Sequence, residues 1–373
     1  LSGMTTAKLN PHWFFNGYGA YGLKDKKWKY EGNVTYSFRK CEFFPWEFPK
    51  HYISASYRYD VMSPMDKFLD TDKDNVFVAW KTTTVDQMSY VRDATLRYEM
   101  ETLSGFSVAA MARHREDTPA GKLQYIRNDA AKTIVPDITT AELGLTLRYA
   151  PGETFVNTKQ RRRPVSLDAP IFTLSHTTGF KGVLGGEYNF NRTEASIWKR
   201  FWLPASWGKI DCSVKAGAEW NTVPFPLLIL PEANLSYITQ RETFCLINNM
   251  EFLNDRFASM SISYDMNGKL FNRIPLLKNL KWREMFRVRA LWGTLTDKNN
   301  PFKSSNPDLF RFPTRDGKFT SFVMDPKVPY VEASVGIYNI FKLLHVEYVH
   351  RFTYRDNPGI NKNGIRFMVL MVF

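Results

Sequence analysis

Apolar and polar residues alternate with period two over long stretches of this chain. From Trp28 onward, Trp28, Tyr30, Gly32, Val34, Tyr36 and Phe38 interleave with Lys29, Glu31, Asn33, Thr35, Ser37 and Arg39, so one face is apolar or small and the other polar. Successive side chains of a strand point to opposite faces, and no helix gives this pattern. The same alternation runs through Ala141, Leu143, Leu145, Leu147 and Tyr149, from Ile210 to Trp220, and through Leu344, Val346, Tyr348, Phe352 and Tyr354. Weaker versions begin near Leu1, Trp13, His51, Arg92, Phe106, Ile171, Leu184, Thr243, Phe257, Met285 and Tyr330, and a final apolar segment runs from Asn363 to Phe373. The pattern predicts about sixteen strands, with fourteen the alternative count.

Composition turns strands into a membrane wall. Hydrophobic residues make up 44% of the chain and aromatics 15%, yet mean hydropathy is −0.35, and no apolar run approaches the ~20 residues that a membrane helix requires. A transmembrane β-barrel hides from hydropathy because only every second residue faces lipid. The alternative is a soluble sandwich or propeller, whose strands also alternate. Such strands usually run ~5 to 6 residues, whereas several here alternate for ten or more, the length that crosses a bilayer at a tilt. Aromatics also gather at strand ends, as in Trp13, Phe14 and Phe15 or Tyr36 and Phe38, which suits the two lipid–water interfaces. The fold expected for residues 1–373 is a single all-β, antiparallel transmembrane barrel with periplasmic termini and long extracellular loops.

Leu23 to Lys27, Leu103-Ser104-Gly105 and Leu253-Asn254-Asp255 read as short turns. Residues 116–138, 150–168, 222–240 and 294–328 read as long loops, the last interrupted by Pro301, Pro307, Pro313, Pro326 and Pro329. Counting sixteen strands back from periplasmic termini puts 355–362, 294–328 and 150–168 outside the cell. The same count puts the stretch from Val61 to Tyr90 on the periplasmic side, where short turns belong. An extra strand within Val76 to Thr84, or a periplasmic element, would relieve that conflict.

The net charge of +13 is spread among apolar residues instead of forming one basic groove, so no nucleic-acid partner is expected. Lys159, Arg161, Arg162 and Arg163 form one sharp basic run, a candidate contact for lipopolysaccharide phosphates on an external loop, beside the plainer reading of a solvated loop. Arg287, Arg289, Glu347 and Arg351 fall on the polar strand faces and are candidate lumen-lining residues. Cys41, Cys212 and Cys245 are odd in number, and the six histidines lack zinc-type spacing. No Gly-x-Ser-x-Gly elbow is present. Neither a cofactor, a metal nor an enzymatic activity is expected.

The last strand resembles the C-terminal signal read by the barrel assembly machinery. Lys362, Gly364, Phe367 and Val369 stand in its order polar, glycine, aromatic, apolar, and Phe373 supplies the terminal aromatic. Near the start, Thr5 to Pro11 and Gly17 to Tyr30 look like the early strand-turn-strand of the outer-membrane insertase and translocase superfamily, the BamA and TamA class. The stretches Glu251 to Ser259, Asn272 to Leu277 and Lys281 to Glu284 resemble a Bacteroidota family of unknown function that joins an N-terminal carboxypeptidase-regulatory-like domain to such a barrel. The resemblance implies a bacterial outer-membrane location and a role in envelope biogenesis, assembling or translocating outer-membrane proteins or surface lipoproteins. Implied partners are the barrel assembly machinery, outer-membrane lipid including lipopolysaccharide, and other outer-membrane proteins or lipoproteins in a complex. The chain departs from the insertase class in having no Arg-Gly dipeptide; Arg241 to Phe244 and Arg315 to Phe319 are the nearest segments. Leu1 follows no signal peptide, so this is expected to be the C-terminal part of a longer precursor. An anion-leaning solute channel and a structural anchor for a periplasmic domain are the alternatives.

Overall fold

Fifteen strands form one sheet in the computed structural model, which describes residues 1–64, 81–159, 161–238 and 243–369. In chain order they are β1 (Ser2–Met4), β2 (Trp13–Tyr21), β3 (Trp28–Ser37), β4 (His51–Met62), β5 (Gln87–Glu101), β6 (Phe106–Gly121), β7 (Ile138–Tyr149) and β8 (Ile171–Gly179). Then follow β9 (Phe190–Trp202), β10 (Lys209–Glu219), β11 (Arg256–Asp265), β12 (Arg283–Thr294), β13 (Tyr330–Ile340), β14 (Leu344–Arg351) and β15 (Asn363–Val369). Each pairs antiparallel with its neighbours in the chain, an up-and-down meander. Among the described residues no pairing joins β1 to β15, and the sheet is not closed.

The period-two alternation becomes two unlike faces. On β12, Phe286, Val288 and Trp292 are exposed outward while Arg287, Arg289 and Leu291 are buried on the other face. On β7, Leu143, Leu145 and Tyr149 are likewise exposed while Thr140 and Glu142 are buried. Exposed aromatic groups collect at both ends of the outward face. Trp13, Tyr36 and Phe38 cluster at one end, and Tyr21 with Trp28 and Tyr30 with Tyr59 at the other. An apolar band between aromatic rows, over a polar inner face, is the pattern that a bilayer selects in strands.

Among the described residues no strand begins near Thr243, where one was expected, and the one expected near Leu184 begins at Phe190. Thr243 is buried, and the next residue, Phe244, donates its N–H to Glu232 O at 2.8 Å within an interior segment. Losing one strand between β10 and β11 reverses the parity of every earlier loop. The connections 22–27, 63–86, 122–137, 220–255, 295–329 and 352–362 therefore share one end. The chain's last strand points to the opposite end, which holds the short turns 102–105, 203–208 and 341–343 together with 150–170. This removes the conflict over Val61 to Tyr90, which joins the long-loop end, and moves 150–168 away from that end. The strand proposed within Val76 to Thr84 lies largely outside the described residues. Gly208 shows why the tight turns need their glycines: its φ is +88°, and a Cβ there would sit 1.9 Å from Asp265 O.

An apolar core lies inside the long-loop end. Leu123 and Tyr125 from one loop, Phe225, Leu228, Met250 and Phe252 from 220–255, and Phe310 and Phe312 from 295–329 pack with Leu291 and Tyr330 of the sheet. Burying large side chains at ~1.5 to 3 kcal/mol each gives these loops a folding drive of their own.

Candidate functional site

The interior segment 222–255 is where the chain departs furthest from a simple barrel. Its apolar run Val223 to Pro231 carries three prolines, Pro224, Pro226 and Pro231, none of which can donate to a ladder, so the run packs without joining the sheet. Leu253-Asn254-Asp255, expected to be a short turn between strands, is fully buried within this segment. The Asp255 carboxylate accepts from Thr296 N and from Asn299 Nδ2, both at 3.0 Å.

Three carboxylates, Glu251, Glu332 and Glu232, tie this segment to the sheet, while Glu347 pairs within the sheet itself. Glu251 receives Arg351 of β14 through two guanidinium bonds of 3.0 and 2.6 Å, and Asn357 Nδ2 at 2.9 Å. Glu332 of β13 receives Arg289 at 2.9 Å, the Cys245 and Leu246 amides at 2.8 and 3.0 Å, and the Tyr330 hydroxyl at 2.8 Å. Glu347 of β14 receives Arg287 at 3.1 Å and the Ser334 hydroxyl. Arg366 of β15 donates to the Cys245 carbonyl, and Lys215 of β10 to Glu232 at 2.8 Å. On the far side, Asn249 donates to Gln87 O at 2.9 Å and accepts from Ser63 at 2.6 Å. Since Asn249 and Glu251 are two residues apart yet reach β5 and β14, the sheet must curl around the segment.

Arg287, Arg289, Glu347 and Arg351 are thus brought together on the inner face, at 8%, 1%, 0% and 0% exposure. Isolated buried charges of this kind are costly, and pairing with added hydrogen bonds is what makes them tolerable. Glu332 and Glu251, their partners, were missed by pattern reading. The signal available for the segment was its composition: an apolar, proline-punctuated loop is out of place on a surface. Burial pushes the Cys245 thiol up to about 11, which leaves it a poor nucleophile at neutral pH.

The terminal strand lies beside this assembly. Gly364 faces Leu246, and a Cβ there would come within 2.9 Å of that side chain. Lys362 is exposed just before β15, Val369 pairs with Leu344, and Phe373 lies outside the described residues. On the edge of β15 away from β14, Phe367 N donates to Tyr237 O at 2.8 Å, and Ile238 makes a single parallel bridge to Phe367. The same short stretch is held from behind, where Thr82 N donates to Leu235 O at 2.8 Å. A piece of the interior segment therefore occupies the sheet's last edge at one point.

The basic run sits elsewhere, in the connection 150–170. Arg162 pairs with Glu101 at 2.8 Å and lies 4.2 Å from the Phe155 ring centre, while Lys159, Arg161 and Arg163 are exposed. Of the segments nearest to an Arg-Gly tip, Arg241 and Glu242 lie outside the described residues, and Arg315 pairs with Asp86. Among the described residues no group of three or more His, Cys, Asp or Glu side chains is placed to hold a metal ion.

The sheet is similar in fold to a solved outer-membrane protein. The crystal structure of BamA from Haemophilus ducreyi lacking POTRA domains 1-3 superposes with a TM-score of 0.55 at 10% identity, covering 96% of this chain and 67% of that one. OccK11 (OpdR) of Pseudomonas aeruginosa gives a TM-score of 0.30 at 9% identity, covering 96% and 94%, too low to establish a shared fold. No curated protein matches the chain. The family model described as the C-terminal domain of a family of unknown function (DUF5686) matches residues 111–302, just over half of the chain, and the protein belongs to that family.

Proposed function

We propose that this protein is an outer-membrane β-barrel of envelope biogenesis that helps assemble or translocate other outer-membrane polypeptides. It resides in the outer membrane, with its apolar outward face in lipid and its long-loop end outside the cell. The observation that carries the reading is the last edge of the sheet: β15 has no pairing with β1 among the described residues and meets only Ile238 by a single bridge on that side. An edge strand with open backbone groups is a template for another extended chain. The BamA-like fold supports the reading without carrying a mechanism with it. The fifteen described strands start and finish at opposite ends instead of sharing a periplasmic one, with Leu1 toward the long-loop end, so a periplasmic domain ahead of the barrel, part of the same proposal with membership of a larger complex, requires a further strand before Ser2.

The channel alternative is weakened by the interior, where the described part of segment 222–255 is packed, Glu232 and Glu251 are ion-paired and Asp255 is hydrogen-bonded. In this orientation Lys159, Arg161, Arg162 and Arg163 face the periplasm, so lipopolysaccharide contact is not assigned to them. The test is a photo-crosslinking amino acid at Ile365, which is 49% exposed on β15, against one at Val335, 47% exposed on the interior strand β13. Unfolded outer-membrane barrel polypeptides should be captured at 365 and not at 335. Equal capture at both positions, or capture at neither, would sink the proposal.

A further inference from the structure

The described outward face has a deep interruption. Across β4 to β7 two rows in register read Tyr57, Ala94, His114, Ala141 and Ala55, Leu96, Ala112, Leu143. The four alanines leave a trough between bulkier neighbours. Over it leans the β8–β9 connection, fixed by Phe180 N to Ala141 O at 2.9 Å, Glu187 N to Thr139 O at 3.0 Å, and the His114 ring Nε2 against Leu184 O at 3.0 Å. Gly186 permits the close approach, since a Cβ there would lie 2.3 Å from Phe180 O and 3.2 Å from Ala141 N. The turn presents Val183 and Leu184 outward at 49% and 74% exposure. Loop and trough together enclose a groove of about 570 Å³ with an almost entirely hydrocarbon lining.

Its depth in the membrane follows from the charges. The outward ion pair Arg92–Glu116, at 3.3 Å, lies two residues nearer the long-loop end than Ala94 and His114. Charged side chains on the outward face belong at the headgroup level, because their cost rises steeply toward the midplane. The groove therefore begins just beneath the headgroups and is continuous with the lipid-facing wall. Left empty, its lining would forfeit dispersion contacts, and water has too few polar partners there to fill it.

We infer that this groove holds one acyl chain of lipopolysaccharide, the lipid of the leaflet at the long-loop end, as a retained lipid, with its phosphorylated headgroup near Arg92. The inference rests on the membrane placement proposed above but not on the biogenesis role. Its size falls in the range of ordinary ligand sites, and the fixed loop gives it a preformed wall, so the bound chain should exchange more slowly than lipid elsewhere on the belt.

The experiment is native mass spectrometry of the full protein after reconstitution in nanodiscs of palmitoyl-oleoyl phosphatidylethanolamine doped with lipopolysaccharide, followed by mild detergent extraction. The double variant Ala94→Leu, Ala112→Leu fills the trough, and Ala258→Leu, exposed on the outward face of β11, is the control. One lipopolysaccharide should stay bound to wild type and to the control, with at least tenfold lower occupancy in the filled variant. No retained lipid, or equal retention in the filled variant, would overturn the inference. Extraction of native membranes serves as a second arm, and phospholipid recovered in place of lipopolysaccharide would overturn the choice of lipid. Protein that fails to enter nanodiscs at all would instead refute the membrane placement, and entry without retention refutes the groove alone.

Discussion

Replacing Glu251 by Gln should loosen the interior segment while leaving the wall folded. Arg351 is fully buried and spends two guanidinium bonds on Glu251, with further bonds to the carbonyls of Leu246, Thr353 and Tyr354. Its charge lies 4.8 Å from the centre of the Tyr330 ring, a secondary stabilisation that survives the substitution. Removing one member of a buried ion pair strands the other charge, at a cost of ~3 to 5 kcal/mol. Local opening of residues 223–254 should then become more frequent by roughly a hundredfold to a few thousandfold. Amide hydrogen exchange in detergent micelles reads this directly, with protection falling in that segment and holding in β5 to β7. The companion variant Arg351→Met, alone and with Glu251→Gln, completes a double-mutant cycle. The pair should cost less than the sum of the singles by at least ~1 kcal/mol, since the double variant leaves no stranded charge. Additive costs, or uniform loss of protection across the wall, would refute the assignment of this pair as the segment's anchor.

Three further outcomes follow from the same geometry. Cys245 should resist maleimide at pH 8 in the folded protein, because burial holds its thiol at about 11, and Glu332→Ala should make it react at least tenfold faster by freeing the Cys245 and Leu246 amides; labelling followed by mass spectrometry decides it. Gly208→Ala should lower the thermal midpoint more than Gly152→Ala, because both residues have positive φ but only the first Cβ meets backbone, the second having nothing within 4 Å; positive φ alone costs roughly 1 to 3 kcal/mol. In planar bilayers the intact protein should show no stable conductance, and replacing residues 224–252 by a short Gly-Ser linker should open a pore. A steady pore in the intact protein would restore the channel reading.

The departure at Thr243 shows how far local pattern reaches. Residues around it carry enough alternation to suggest a strand, but pairing requires a neighbour in register, and Phe244 finds its backbone partner in Glu232 of the same segment instead. One misplaced strand then reversed the side assigned to every loop before it. The stretch Glu251 to Ser259, which carried the family resemblance, turns out to hold the segment's buried anchors Glu251, Asn254 and Asp255. The sequence exposed those residues as a motif without exposing their partners, because Arg351 is 100 positions away.

What the sequence determined by itself was the wall: period two, strand length and aromatic ends are local properties, and a bilayer acts on each strand alone. It also placed Arg287, Arg289, Glu347 and Arg351 on the inner face, since facing follows from parity within a strand. Only the tertiary structure decided that the interior is filled, which carboxylate receives which arginine, and that the last edge is met by Ile238. These depend on contacts between residues far apart in the chain, where the free energy of burying and pairing charge is set by who arrives opposite, which no local pattern records.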